Sequence, residues 1–210
     1  VRIKRWQTSL GLPAHRLAFQ DLYNSVDGFK MSRIARNKKD ALDYIYGEID
    51  FLSFIALLSL TKPDHNTVFY DLGSGVGKAV LACAMVFPVR KSVGVELLSE
   101  LHLCACELKK RLATDFKYEH QAQKIDFILG DFLDIPLEDA TLIFINSSTL
   151  FGTTWEKLCL VLDNSPQACT IISTSKPLIS TVFAAKISTR IQMSWGIVPV
   201  YIHQRKTNIH

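Results

Sequence analysis

A carboxylate at the end of an apolar run, followed by three glycines at alternate positions, is the stretch of this sequence best suited to hold a ligand. The run is Val68-Phe69-Tyr70-Asp71-Leu72, and Gly73, Gly75 and Gly77 follow with Ser74 and Val76 between them. β-Branched and aromatic residues ahead of the glycines read as a buried strand, and the apolar stretch from Lys78 to Phe87 reads as a helix. Glycines belong where a ligand approaches the backbone or where the dihedrals exclude a Cβ. The first amides of the helix are then free to bind that ligand. Lys78 stands where a dinucleotide-binding turn places its third glycine. Beside a pyrophosphate, Asp71 would set negative charge against negative charge, whereas S-adenosylmethionine offers an ammonium and a sulfonium and carries no phosphate. The turn is therefore expected to bind S-adenosylmethionine rather than a nicotinamide dinucleotide.

Two more acids and an amide stand at the ends of later strands. Glu96 closes the short apolar strand from Lys91 to Val95, about 20 residues past the glycines, where a carboxylate can accept from both ribose hydroxyls. After a third strand, Ile125 to Leu129, comes Gly130-Asp131-Phe132. Asp131 can accept from the adenine amino group with Phe132 on the ring face; the same residues also suit an ordinary turn and a core phenylalanine. A fourth strand, Thr141 to Ile145, ends in Asn146, at the rim opposite the place where a reactive methyl group would point. Asn146 can accept a hydrogen bond from an amine. Ser147 and Ser148 follow it where enzymes that methylate base amino groups usually carry two prolines, which counts against a nucleic-acid base as acceptor.

The elements that must position these residues follow from the periodicity. Pro13 opens a helix with Leu17, Phe19, Leu22, Tyr23 and Val26 on its apolar side, ending at Asp27-Gly28, and a basic connection is expected next. A second amphipathic segment runs from Asp40 to Tyr46-Gly47-Glu48, and Phe51 to Leu60 is a third helix closed by Lys62-Pro63-Asp64. From Val68 onward strands alternate with helices at Leu101 to Phe116 and Trp155 to Leu162, with a fifth strand at Cys169 to Ser173. Alternation of this kind predicts a parallel sheet covered on both faces, with ligands at the carboxyl ends of its strands. Ile187 to Met193 and Val198 to Ile202 then read as an antiparallel hairpin around Trp195-Gly196. The expected fold is α/β: a seven-stranded, doubly wound, Rossmann-like class I methyltransferase sheet over residues 61–210. Residues 1–60 are expected to supply a short helical N-terminal arm and a cofactor-covering loop.

Composition narrows the setting. The 210 residues are 48% hydrophobic and 21% charged, enough for one globular core. No apolar run approaches the ~18 residues of a bilayer span, and the start lacks a signal-peptide pattern, so no membrane partner is expected. Cys83, Cys104, Cys106, Cys159 and Cys169 lie in apolar patterns and fit reduced thiols of an intracellular protein, cytoplasmic or nuclear. Neither they nor the scattered histidines show metal-ligand spacing, and no metal is expected. Residues 1–39 carry nine Lys or Arg against Asp21 and Asp27, while the rest of the chain is slightly acidic. That segment is a candidate footprint for an acidic or nucleic-acid surface, or simply a solvated helical face.

Six motifs in register resemble those of the disruptor-of-telomeric-silencing family, the non-SET histone lysine methyltransferases. They are Tyr46-Gly47-Glu48, Asp71 to Gly77, Gly94-Val95-Glu96, Gly130 to Leu133, Ile143 to Asn146 with Phe151-Gly152, and Ser173 to Pro177. The tail Ser194-Trp195-Gly196 with Pro199 to His203 is similar to that family's closing segment. The resemblance implies a protein lysine N-methyltransferase, histone being one acceptor, in which Tyr46, Glu48, Asp71, Gly73, Ser74, Gly75, Gly77, Glu96, Asp131, Phe132 and Asn146 contact S-adenosylmethionine. It also implies that Asn146 lines a lysine channel walled by Trp195 and Tyr201. Ile49 and Ser147 depart from the family's pattern, which leaves open a small-molecule methyltransferase and a module that binds the cofactor without turnover.

Overall fold

The protein's structure is a computed structural model that describes residues 2–36 and 49–207. Among the described residues, seven strands form one sheet in the order β3-β2-β1-β4-β5-β7-β6. These are β1 (Val68–Leu72), β2 (Lys91–Glu96), β3 (Ile125–Leu129), β4 (Leu142–Ile145), β5 (Thr170–Thr174), β6 (Phe183–Met193) and β7 (Gly196–Arg205). β1 to β5 are parallel, and β7 returns antiparallel beside β5 with β6 outside it. The strand order reverses between β1 and β4, which opens a crevice at their carboxyl ends. β1 and β4 are buried at every position because both faces are covered, so they read as continuous apolar runs rather than alternating ones.

The two faces are covered unequally. The odd-numbered β1 residue Phe69 and the even-numbered Leu142, Phe144, Ile172, Val200 and Ile202 belong to one core, which also contains residues of α2 (Leu12–Tyr23), α4 (Phe51–Ser59), α5 (Lys78–Val86) and α6 (Ser99–Ala113). The opposite face packs Val68, Tyr70, Leu72, Ile143, Ile145 and Ile171 against α8 (Gly152–Asp163) through Trp155, Leu158, Cys159 and Leu162. α5 is buried at seven consecutive positions, Ala79 to Met85. A helix apolar all round must be enclosed, and α2 and α4 enclose this one from the side away from the sheet. Residues of the expected arm thus share the core of the first face.

Several boundaries differ from the sequence reading. The stretch expected as a basic connection is helix α3 (Gly28–Arg36), started by Asp27, whose carboxylate accepts from Lys30 N at 2.9 Å. Residues before Pro13, without a clear pattern in sequence, form α1 (Arg2–Ser9), held to α4 by Trp6 Nε1 donating to Ser59 Oγ at 3.2 Å. A short α7 (Glu119–Ala122) precedes β3. The hairpin begins four residues early, at Phe183, and its two-residue turn is Ser194-Trp195. A bulge between Ala185 and Ile187 places exposed Lys186 on β6, the outer strand. The segment from Asp40 through Glu48 lies outside the described residues.

Candidate active site

The glycine turn leaves β1 and folds back onto β2. Gly73 N and Ser74 N both donate to Val95 O, at 2.9 and 3.0 Å, and Gly77 N donates to Ser74 O at 2.8 Å. Gly73, Gly75 and Gly77 have φ of 86°, 55° and 81°, the left-handed region that side chains disfavour. A Cβ on Gly77 would stand 2.5 Å from Phe127 Cζ, whereas one on Gly73 would meet no atom within 4 Å. Gly77 is therefore needed by the protein's own packing, and Gly73 faces open space. Gly94, level with Asp71 on β2, leaves room for the Ser74 hydroxyl, 2.6 Å from where its Cβ would lie.

Two buried carboxylates flank this turn, Asp71 at 4% exposure and Glu96 at 7%. Glu96 Oε2 accepts from Gly75 N at 2.7 Å and Oε1 from Leu98 N at 2.8 Å, so it holds the turn as well as facing the crevice. Burial, reinforced by the like charge of Glu96, pushes the Asp71 carboxyl up to about 8. Burial also raises Glu96, against the pull of the backbone amides of Leu98 and Gly75. Two acids raised in this way want a cation beside them. Ser74 Oγ is buried with no hydrogen-bond partner among the described residues. An unpaired hydroxyl, an open glycine face and two carboxylates raised by burial fit a cationic, phosphate-free ligand.

Past β3 the chain turns at Asp131, whose Oδ1 accepts from Leu133 N at 2.9 Å. Gly130 N donates to Glu96 O at 2.9 Å, which brings this turn beside the second acid. Phe132 packs on the second core. Tyr46 and Glu48 lie outside the described residues.

The other half of the crevice is a knot of side chains. Asn146 Oδ1 accepts from Thr174 Oγ1 at 2.8 Å, from Ser148 Oγ at 2.9 Å and, at 3.5 Å, from Ser148 N. Thr174 Oγ1 in turn accepts from Ser147 N at 3.2 Å, and Ser147 Oγ donates to Thr174 O. The amide oxygen is thus turned inward, leaving the amino group for the crevice side. Directly after Thr174, Ser175 adopts φ 68°, and Lys176 N closes a three-residue turn on Thr174 O at 2.8 Å, a strained arrangement for a residue with a Cβ. It sends Lys176 Nζ over the rings of Phe151, at 4.1 Å, and Trp155, at 5.4 Å, with a bond to Leu150 O. Thr174 falls within the Ser173 to Pro177 motif, yet the sequence assigns it no role of its own, because a threonine ending a strand carries no mark of what it will meet.

Asn146, Trp195 and Tyr201 are not brought together. Tyr201 alternates with Val200 and Ile202, which face the first core, so its side chain points to the opposite side of the sheet from Asn146 and Thr174. Its ring lies 6.2 Å from that of His203. Val200 is level with Thr174 at the end of β5, and Trp195 lies five residues further out, about 17 Å along the hairpin. The tip of the hairpin is bridged by Ile49 pairing with Met193. A channel walled jointly by Trp195 and Tyr201 is therefore not what this geometry provides. Trp195, 46% exposed, is a rim residue.

This strand order, with the carboxylate-and-glycine turn at its switch point, defines a class I methyltransferase fold. Solved structures share it: an RNA methyltransferase from Salinibacter ruber in complex with S-adenosyl-L-homocysteine (TM-score 0.57, 22% identity, covering 75% of this chain and 92% of that one), and TrmK of M. capricolum in complex with S-adenosyl-homocysteine (TM-score 0.54, 11% identity, 75% and 70%). At such identities the likeness concerns the fold alone. The family model described as "Histone methylation protein DOT1" matches residues 30–198, and the chain belongs to that family. Among relatives, a histone-lysine N-methyltransferase, H3 lysine-79 specific, from Gibberella zeae is 27% identical over 172 residues, 77% of this chain and 34% of that protein. One of the same description from Caenorhabditis elegans is 34% identical over 110 residues, 49% and 11%. A protein-lysine N-methyltransferase from Saccharolobus islandicus is 26% identical over 87 residues, 41% and 50%. The chain thus spans half or less of the length of these relatives.

Proposed function

We propose that this chain is an S-adenosylmethionine-dependent methyltransferase whose acceptor is a lysine of a protein. The observation that carries the reading is the buried Asp71–Glu96 pair at the glycine turn, which favours a cationic ligand without phosphate. Family membership and the names of the relatives support a lysine acceptor, and a histone is the acceptor we favour. A histone acceptor in turn implies work in the nucleus. The exposed Arg2, Lys4, Arg5, Arg16, Lys30 and Arg33 offer an acidic or nucleic-acid surface a place to rest.

Asp71, Glu96, the Ser74 hydroxyl and the open face of Gly73 would hold the cofactor, with Asp131 and Phe132 at its base. Bound there, the cofactor supplies an electrophilic methyl group. The protein's task is placement: a neutral amine brought in line and held about 3 Å away gains several kcal/mol from orientation alone. Desolvation in a closed crevice favours loss of the lysine proton. Asn146, held rigid by Thr174 and Ser148, shapes the place of the incoming group; its oxygen is engaged inside the protein and, contrary to the sequence expectation, does not accept from the amine.

Incubation with methyl-labelled S-adenosylmethionine and, separately, nucleosomes, free histones and a lysate tests the reading. Label on lysine side chains is the expected result. Label confined to soluble metabolites makes the acceptor a small molecule. A second reading, cofactor held without turnover, is favoured by the inward-turned Asn146 oxygen; tight cofactor binding with no labelled product anywhere would establish it.

A further inference from the structure

The helices covering the first face reach the glycine turn through a buried hydroxyl. Tyr23, in the last turn of α2, donates from its phenol to Val76 O at 3.0 Å, and both residues are buried. Val76 sits between Gly75 and Gly77, two of the three left-handed glycines. The amides of Gly73, Ser74 and Gly75 are tied to the β2 side, to Val95 O and Glu96. Its Val76 carbonyl is tied to the opposite side, the arm. The Tyr23 ring is held by Phe19, with centroids 4.7 Å apart, and Phe19 lies 4.8 Å from Phe51 at the start of α4. Lys78, the first residue of α5, lies with its ammonium 5.2 Å from the Tyr23 ring centroid. An unpartnered buried carbonyl is costly, and a turn of freely rotating glycines can relieve the cost by swinging that peptide away. The conformation lost in doing so is the one that presents the turn's face to a ligand.

We propose that Tyr23 is a positioning residue for the glycine turn, so that seating of the N-terminal helices and occupancy of the cofactor site are thermodynamically coupled. Coupling of this kind is reciprocal: whatever loosens the arm weakens the ligand, and the ligand tightens the arm. The ligand half of the statement rests on the function proposed above; the turn-holding half does not.

Tyr23→Phe keeps the ring and removes the hydroxyl that holds Val76 O. Hydrogen–deuterium exchange of the unliganded protein should show faster exchange in the peptide covering Gly73 to Gly77 than in the wild type. S-adenosyl-L-homocysteine, used as the probe, should bind the variant about tenfold more weakly, the effect of one buried unpaired group. Saturating probe should slow exchange across Leu12–Tyr23 in the wild type and less so in the variant. As a control, Tyr118→Phe breaks another of the arm's tethers, the 2.8 Å bond to His15 Nδ1, without touching the turn. It should lower thermal stability and leave both readouts unchanged. Unchanged turn exchange in Tyr23→Phe, or equal weakening by both variants, overturns the proposal. A wild type that fails to bind the probe sinks the proposed function instead, and the exchange of the unliganded turn still decides whether Tyr23 holds it.

Discussion

The two halves of the crevice are made of different material. Beside β1 and β2 the backbone forms the surface, and two buried acids supply its charge. Beside β4 and β5, side chains bond to one another: Asn146, Ser147, Ser148 and Thr174 close on themselves across 28 residues of sequence. The first half stores electrostatic cost until a cation arrives. The second stores geometric constraint and spends its oxygen inside the protein. A ligand is thus drawn to one side by charge and aligned on the other by rigidity, and substitutions on the two sides should fail differently.

The largest effect should come from Asp71→Ala, which removes the charge facing the ligand; binding of S-adenosyl-L-homocysteine by calorimetry should fall below detection. Wild-type heats would break the contrast at its root. Asn146→Ala should leave that affinity within about threefold while turnover with S-adenosylmethionine drops about a hundredfold, the pattern of an interaction used in the transition state. Equal loss of both would make the second half another binding surface.

pH separates the halves further. Because burial pushes the Asp71 carboxyl up to about 8 and a cation binds its ionised form, affinity measured by calorimetry should strengthen as the pH rises toward 8 and flatten above it. Unliganded stability should run the other way. A carboxyl raised above its unfolded value contributes stability that is fully present below about 3.9 and lost as the pH rises through about 8. Asp71→Asn should flatten the stability trend, measured as melting temperature across that range. Smallest is Thr174→Val, which deprives Ser147 N of its acceptor and Asn146 of a donor. It should cost about 1–2 kcal/mol of stability and lower turnover about tenfold with cofactor affinity unmoved; Thr174→Ser should restore most of the turnover.

The same contrast explains what could be read in advance. Asp71, Glu96 and the glycines stand out because a strand end, an acid and a forced backbone conformation fall within a few residues, and β3 and the start of α4 were legible for similar local reasons. Asn146 was visible as a polar residue closing a strand and through the family resemblance. Its partner Thr174 and the tie from Tyr23 to Val76, 53 residues apart, depend on the fold bringing distant positions together. Tyr201 was misplaced because alternation along β7, not membership of a motif, decides which side of the sheet a residue serves. α3 was hidden by its charges: its buried residue in the middle is Ser32, while Phe29 and Ile34 are exposed. The hairpin's early start was hidden because Ala184 and Ala185 carry little strand preference.

The kink in β6 has a consequence for the molecule in company. An outermost strand of eleven residues is a rail on which a neighbouring copy could lay its own strand and build a continuous ribbon. With the register broken between Ala185 and Ile187 and an ammonium standing at the break, that rail is bent and charged near its start. Chains held at high concentration should therefore stay separate along this border, and straightening it by deleting Lys186 should be felt first as turbidity.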